Sequence, residues 1–201
     1  MEMLAFPLAG VNTVRYGEWM DSEKLNPQGW LDAGLARLAT HGPQGLRIMA
    51  VAEQLGVTKG SFYWHFRDQA SYHEALLAAW EKGGTQQIID RVEQAGGDAA
   101  AKLRRLMGIT VTADRRLPLA IRAWAAGDTT AAKVVKRVDK RRLAYLTGLI
   151  AGLGWPADEA ATLARWAHGA LLGYFMLEGP ALTDAQMDLI LGTLTAGPRS
   201  R

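Results

Sequence analysis

The sequence predicts an all-α protein, and three observations carry that prediction. Ala and Leu abound, and no stretch alternates polar with apolar residues as a half-buried strand would. From Asn26 onward apolar residues recur every three or four positions, the period of a helix with one buried face. Asn, Asp and Thr stand where these stretches begin and Gly where they end, as capping chemistry requires. About nine helices are expected, three in a small N-terminal module and the rest in a C-terminal helical bundle.

Residues 1–24 lack the helical period and read as a disordered arm, or as sequence upstream of a start at Met20. Asn26-Pro27 then supplies an N-cap with Pro in the first helical turn, and Gly42-Pro43 ends the helix, so helix 1 spans about 27–41. Its inward face is expected to be Leu31, Leu35, Leu38 and Ala39. Leu46–Leu55 and Thr58–Phe66 form two short helices around Gly56-Val57. Helix 4 begins near Ala70 and runs to Gly96-Gly97, with a break expected near Gly83-Gly84. Five further helices are expected over Asp98–Ala113, Leu117–Ala126, Thr129–Gly152, Asp158–Leu177 and Asp184–Leu194. Asp98, Thr129, Asp158 and Thr183 or Asp184 mark their starts; Gly127, Gly154, Gly179 and Gly197 follow their ends. The domains expected are thus an arm at 1–24, a helix-turn-helix module at 25–70 and a helical domain at 71–201.

Composition narrows the function. The chain has 201 residues and no Cys, which excludes disulfide scaffolds, Cys-based zinc sites and thiol nucleophiles and suits a reducing compartment, with the cytoplasm as the default. Glu2 stands where a secretory signal would be basic, so no signal peptide is expected. The most apolar stretch, Ala160 to Leu177, contains Arg165 and His168, so no membrane span is expected. Net charge is only +3, but it is unevenly spread: 46–67 carries an excess of two positive charges and 97–152 an excess of eight. No phosphate-binding Gly loop, GxSxG or HExxH occurs, so catalysis is not expected. His41, His65, His73 and His168 show no metal-ligand spacing, and neither metal nor cofactor is expected.

The informative segment is Leu46 to Phe66. Two helices crossing steeply through a short turn need a small residue at the crossing, here Ala52, and a residue tolerant of positive φ, here Gly56. Val51, Leu55, Val57 and Phe62 then hold the second helix against the first. With Phe62 and Phe66 turned inward, Lys59, Gly60, Tyr63, Trp64 and Arg67 point outward. Four aromatic residues among five positions suit a helix that buries one set and offers the other to a partner; a plain helical hairpin is the alternative. DNA is the natural partner for such a face.

In order and spacing, His41-Gly42, Gly45, Val51-Ala52, Leu55-Gly56-Val57 and Thr58-Lys59-Gly60-Ser61-Phe62-Tyr63-Trp64-His65-Phe66 resemble the DNA-binding module of the TetR family of one-component transcriptional repressors. The resemblance covers residues 27 to about 80; the remainder matches only in helix count and length. It implies that Lys59 and Gly60 approach base edges in the major groove and that Tyr63 is shared between base and backbone. It further implies that Ser61, Trp64 and His65 contact phosphate and that Thr58 caps the recognition helix. Three positions depart from the family pattern: Arg47 replaces the usual Thr, Met49 a basic residue, and Gln69 the usual Lys. Arg47 and Arg67 are the nearest cations that could compensate, and a shallower salt dependence is expected, by about one unit of log–log slope per lost contact.

The resemblance also implies a homodimer on a palindromic operator, released by a small-molecule effector, with coupling through helix 4. For the dimer contact the sequence offers Leu163, Trp166, Gly169, Ala170 and Gly173 on one long helix; burial within its own subunit is the alternative. For an apolar or aromatic effector it offers Trp80, Met107, Trp124, Tyr145, Trp166 and Phe175, in a chain with 7 Trp. The stripe Lys133, Lys136, Arg137, Lys140 and Arg141, with Arg142 beside it, reads as a solvated face, with a second DNA contact or an anionic ligand as alternatives. The competing functional reading is a helical small-molecule-binding protein or enzyme that keeps a degenerate helix-turn-helix; a third is a protein-interaction module using Tyr63 and Trp64.

Overall fold

The computed structural model describes residues 26–177 and 182–196. The arm expected at 1–24, and Gly179 and Gly197, lie outside these. The described residues are all-helical: α1 (Pro27–His41), α2 (Ile48–Leu55), α3 (Lys59–Phe62), α4 (Gln69–Glu81), α5 (Gln87–Gln94), α6 (Ala99–Thr112), α7 (Arg116–Ala125), α8 (Thr129–Ala151), α9 (Ala157–Met176) and α10 (Asp184–Thr195). A π-helical turn, Lys82–Gln86, joins α4 to α5. Counting that run as one gives nine helical runs among the described residues besides a short 3-10 turn at Pro43–Leu46, and the break expected near Gly83-Gly84 is a change of hydrogen-bond pattern instead. Two compact units result: described residues up to Glu81 with Asp114–Val135, and Lys82–Ala113 with the described residues from Lys136 on.

Helix starts follow the expected chemistry. Asn26 accepts from Gly29 N at 3.0 Å, Asp98 from Ala101 N at 2.8 Å, and Thr183 forms a reciprocal capping box with Gln186. α8 starts at Thr129, and the residue before it, Asp128, accepts the Ala131 N–H at 2.8 Å. At α9 the N-cap is Pro156, which has no side-chain acceptor; Asp158 falls inside the first turn, where its charge still opposes the helix dipole.

In the first unit α1 packs on α2, α4 and α7. Its buried face is Trp30, Ala33, Gly34 and Leu38; of the four residues expected to face inward, only Leu38 is buried. The face is rotated by one residue because Gly34 admits Tyr72: a methyl at Gly34 would lie 2.1 Å from the Tyr72 hydroxyl. That hydroxyl donates to the Trp30 carbonyl at 2.6 Å, and burial pushes its pKa above the ordinary phenol value. Across α4 and α7, His73 meets the Trp124 ring edge-on at 5.0 Å between centroids. This packing carries the unit past the segment 25–70.

The second unit is built on Leu103, Leu149, Leu191 and Leu194, with Met107, Tyr145 and Leu163 packed against them. Ile150, Ala160 and Ala164 continue the core between α8 and α9. Trp155 fixes the following turn by donating its indole N–H to the Leu194 carbonyl at 2.7 Å. Arg142 turns inward from α8: its Nε donates to the buried Thr85 hydroxyl at 3.0 Å and its Nη2 to the Gly84 carbonyl at 2.8 Å. It thus stands off the outward stripe, beside which the sequence placed it. Among the described residues no helix is long and apolar enough to cross a membrane.

Candidate nucleic-acid interface

The site begins with a turn. Gly56 closes α2 at φ 68°, ψ 25°, a left-handed conformation that L side chains resist, and Val57 N returns to the Ala52 carbonyl at 3.0 Å. Ala52 itself is buried at the crossing of α2 and α3. The chain then enters α3, which is one turn long, and leaves it through the turn at Tyr63–His65. The sequence pattern implied a helix to Phe66; the regular part stops at Phe62 because the chain must bend to bring Phe66 back into the core.

Phe62 is the anchor of this short element. It is fully buried, 5.4 Å from the Trp30 ring and 5.3 Å from the Tyr72 ring, both edge-on, and 5.3 Å from Phe66. Phe66 closes the cluster against Tyr72 at 4.9 Å. Aromatic pairs at these separations add about 0.5–1.5 kcal/mol each beyond their buried area, more than a four-residue helix supplies through its own hydrogen bonds. The recognition element is therefore held by packing. Trp30 and Tyr72, which do that holding, were not apparent from the helix-turn-helix pattern; the spacing of Trp30 four residues before Gly34 was the available signal.

Outward from this anchor stand Lys59, Gly60, Tyr63, Trp64 and Arg67, all exposed, with Ser61 and His65 half-buried at the flanks. Trp64 is 87% and Tyr63 52% exposed, so neither belongs to the core of its own chain. The Lys59 ammonium lies 6.0 Å from the centre of the Tyr63 ring, which limits its wandering without neutralising it. A Cβ on Gly60 would meet the Thr58 hydroxyl only at an ordinary contact distance, so the backbone there is open to close approach. Thr58 occupies the N-cap position, but its side chain accepts no capping bond; its carbonyl takes the Ser61 N–H at 3.1 Å instead. Thr58 thus stands at the cap position that the resemblance implied, with its backbone carbonyl rather than its side chain making the bond.

The cations divide. Arg47 is exposed at the N-cap of α2, while Arg67 is drawn onto the neighbouring Asp68 carboxylate at 2.9 Å. Asp68 also accepts the Ser71 N–H at 2.7 Å, and these contacts hold its pKa below the usual carboxylate value. Arg67 would have to exchange that partner for a phosphate. Met49, where the resemblance implies a cation, is 60% exposed.

The residues named for a dimer and for an effector are spread over both units. Trp80 and Trp124 are buried in the first unit; Met107, Tyr145 and Phe175 are partly or fully buried in the second, and Tyr145 donates to Glu93 at 2.7 Å. Trp166 is 61% exposed on α9, with Gly169 and Ala170 exposed and Gly173 half-buried on the same helix. Among the described residues, no atom apart from the helix's own neighbouring backbone lies within 4 Å of a Cβ built on Gly169 or Gly173. An open depression of about 310 Å³ lies between α6 and α10, beside Arg104, Asp188 and Leu191, and none of the six expected effector-contacting residues lines it.

Residues 31–71, from α1 into α4, match the family described as bacterial regulatory proteins, tetR family. Among curated protein sequences none matches the chain. Solved structures share the fold: a transcriptional regulator from Rhodococcus sp. Rha1 is 21% identical over 85% of this chain and 94% of its own, with a TM-score of 0.67. The fatty acid degradation regulator FadR from Bacillus halodurans is 19% identical over 89% and 99%, with a TM-score of 0.66. NemR from E. coli, in its reduced form, is 16% identical over 85% and 94%, with a TM-score of 0.64.

Proposed function

We propose that the protein is a ligand-responsive, DNA-binding transcriptional regulator that occupies a palindromic operator as a homodimer and acts as a repressor. The observation that carries this reading is the division of α3 and its turn into a buried aromatic anchor, Phe62 and Phe66, and an outward set of Lys59, Gly60, Tyr63, Trp64 and Arg67. Lys59 can donate to guanine O6 or N7, and Gly60 lets the backbone come close to base edges. Arg47, Ser61, His65 and Arg67 hold phosphate, and Trp64 lies along the sugar-phosphate backbone. The Gly169–Gly173 face of α9, open to solvent in one chain and flanked by Trp166, supports a two-fold helix contact with a second copy. Trp166 fits that contact better than an enclosed effector pocket. The effector is an apolar or aromatic small molecule that shifts the equilibrium away from the DNA-bound form by its differential affinity.

The test uses genomic fragments retained by the purified protein. After sequencing, a retained fragment should migrate more slowly with the wild type, and Lys59→Ala should lower its affinity by about 1–3 kcal/mol while relaxing preference at one operator position. Equal losses on operator and random DNA would sink the assignment of Lys59 to base reading.

A further inference from the structure

One arginine of the first unit holds two partners that carry no charge. Arg37 is half-buried on α1; its Nε donates to the Gly45 carbonyl at 2.9 Å and its Nη1 reaches the Gln54 side-chain oxygen at 3.4 Å. The first partner lies just ahead of α2 and the second in its last turn, so one planar fork from α1 grips both ends of the next helix. The grip at Gly45 is close. Gly45 is buried, and a Cβ built there would lie 2.8 Å from the His41 Cβ and 3.0 Å from the Arg37 carbonyl oxygen. The loop is thus pressed against the last turn of α1, and its carbonyl, with little access to water, takes the Arg37 N–H instead. Only Leu46, which is fully buried, separates Gly45 from Arg47. Arg47 is the exposed N-cap of α2, and its own carbonyl accepts the Ala50 and Val51 N–H groups at 2.9 and 3.1 Å.

We propose that Arg37 is a positioning residue for DNA binding: by holding the Gly45 carbonyl it fixes where α2 begins, and hence where the Arg47 guanidinium meets a phosphate of the duplex. This rests on the DNA-binding function proposed above and gives a part in it to a residue that acts through another. The chemistry of Arg suits that part. A long apolar side chain at this position would fill the same space but leave the Gly45 carbonyl without its donor, and a lysine presents a point charge that cannot donate to Gly45 and Gln54 in one plane. Both acceptors are neutral, so hydrogen bonds rather than an ion pair hold the fork. Placement matters most at Arg47 because the module has few other cations to offer: Met49 and Gln69 stand where the resemblance implies cations, and Arg67 is drawn onto Asp68. A phosphate contact needs its donor within hydrogen-bond reach of a fixed oxygen, and an α2 start free to shift would weaken binding by the cost of ordering it.

The experiment has two arms, both on the full chain. In the first, hydrogen exchange is followed without DNA: Arg37→Gln should speed exchange of the Ala50 and Val51 amides by about tenfold, the contribution of one hydrogen bond from a charged group, and leave the Tyr72 amide unchanged. In the second, affinity for a retained genomic fragment is measured by fluorescence anisotropy over a range of NaCl for Arg37→Gln, Arg47→Gln and the double variant. Arg47→Gln should lower the slope of log affinity against log salt by about 0.9, one phosphate contact. Arg37→Gln alone should lower affinity by up to the loss seen for Arg47→Gln, yet change it by less than about twofold when Arg47→Gln is already present. A long-range effect of the lost charge, or a general loss of stability, would instead lower affinity equally in both backgrounds. Such additivity overturns the proposal, and so does unchanged exchange at Ala50 and Val51. If Arg37→Gln loses its cooperative thermal transition, Arg37→Lys replaces it in both arms, since it keeps the charge and one donor but not the fork. A wild type that binds no fragment overturns the function from which the proposal starts, and with it the link to phosphate; the exchange arm then still decides whether Arg37 holds α2.

Discussion

Single contacts decide how firmly the reading surface is held. Gly34 is the clearest case, because any side chain there strikes the Tyr72 hydroxyl and the Leu76 methyl and displaces the bond to the Trp30 carbonyl. Gly34→Ala should destabilise the protein by about 1–3 kcal/mol, the range for forcing extra volume into a packed core; urea denaturation measures it, and a loss within 0.5 kcal/mol, about that of an ordinary surface substitution, would mean that α1 can slide. His73 adds a pH dependence. Burial against Trp124 lowers its pKa below 6.5, and the opposing pull of Asp128 is smaller, so the folded state prefers the neutral ring. Stability from this group is fully present above pH 6.5 and is lost as pH falls from there through the folded-state value. The melting temperature should therefore drop on mild acidification, and His73→Gln should lessen that drop.

At the scale of elements, the glycine that ends α2 sets the angle at which α3 leaves. Gly56→Ala forces a side chain into φ 68° and should cost about 1 kcal/mol, visible in a thermal melt, with reduced DNA affinity out of proportion to the stability lost. If affinity is unchanged, the turn tolerates the strain without redirecting α3. Elements like α1 and α6 were legible in the sequence because their ends are set by local chemistry: Asn26-Pro27, Gly42 and Asp98 act within a few residues of themselves. The inward face of α1 was not, because choosing Trp30 and Gly34 over Leu31 and Leu35 depends on Tyr72, which is distant in sequence. The same holds for α3. Its inward and outward residues followed from the pattern, whereas its length was set by the return of Phe66 to the core. Arg142 was unreadable for a third reason: its partners lie on a π turn, and periodicity does not announce one.

For the whole molecule the proposed dimer sets the test. The proposed contact makes Gly173→Arg a sharp experiment, because among the described residues no atom beyond the helix's own backbone lies within 4 Å of the added Cβ and the chain should still fold. The variant should sediment as a monomer and lose operator affinity steeply, since one recognition element cannot gain the contacts of the second half-site. A dimer that persists and binds a palindrome normally would place the contact elsewhere. The effector reading has its own check: replacing Trp80 or Trp124 by Phe should remove ligand-dependent quenching of fluorescence, and retention of quenching in both would move the proposed pocket.

The aromatic anchor of α3 has one more consequence, which concerns change over generations. Stability in this module resides in Phe62, Phe66, Trp30 and Tyr72, whereas Lys59, Gly60, Tyr63 and Trp64 make little of the core. Substitutions at the outer positions are therefore nearly neutral for folding, and on the proposed function a lineage could drift from one operator to another without passing through unfolded intermediates. Libraries randomised at Lys59, Gly60 and Tyr63 should accordingly yield mostly folded proteins with altered DNA preferences, while the same exercise at Phe62 should yield almost none.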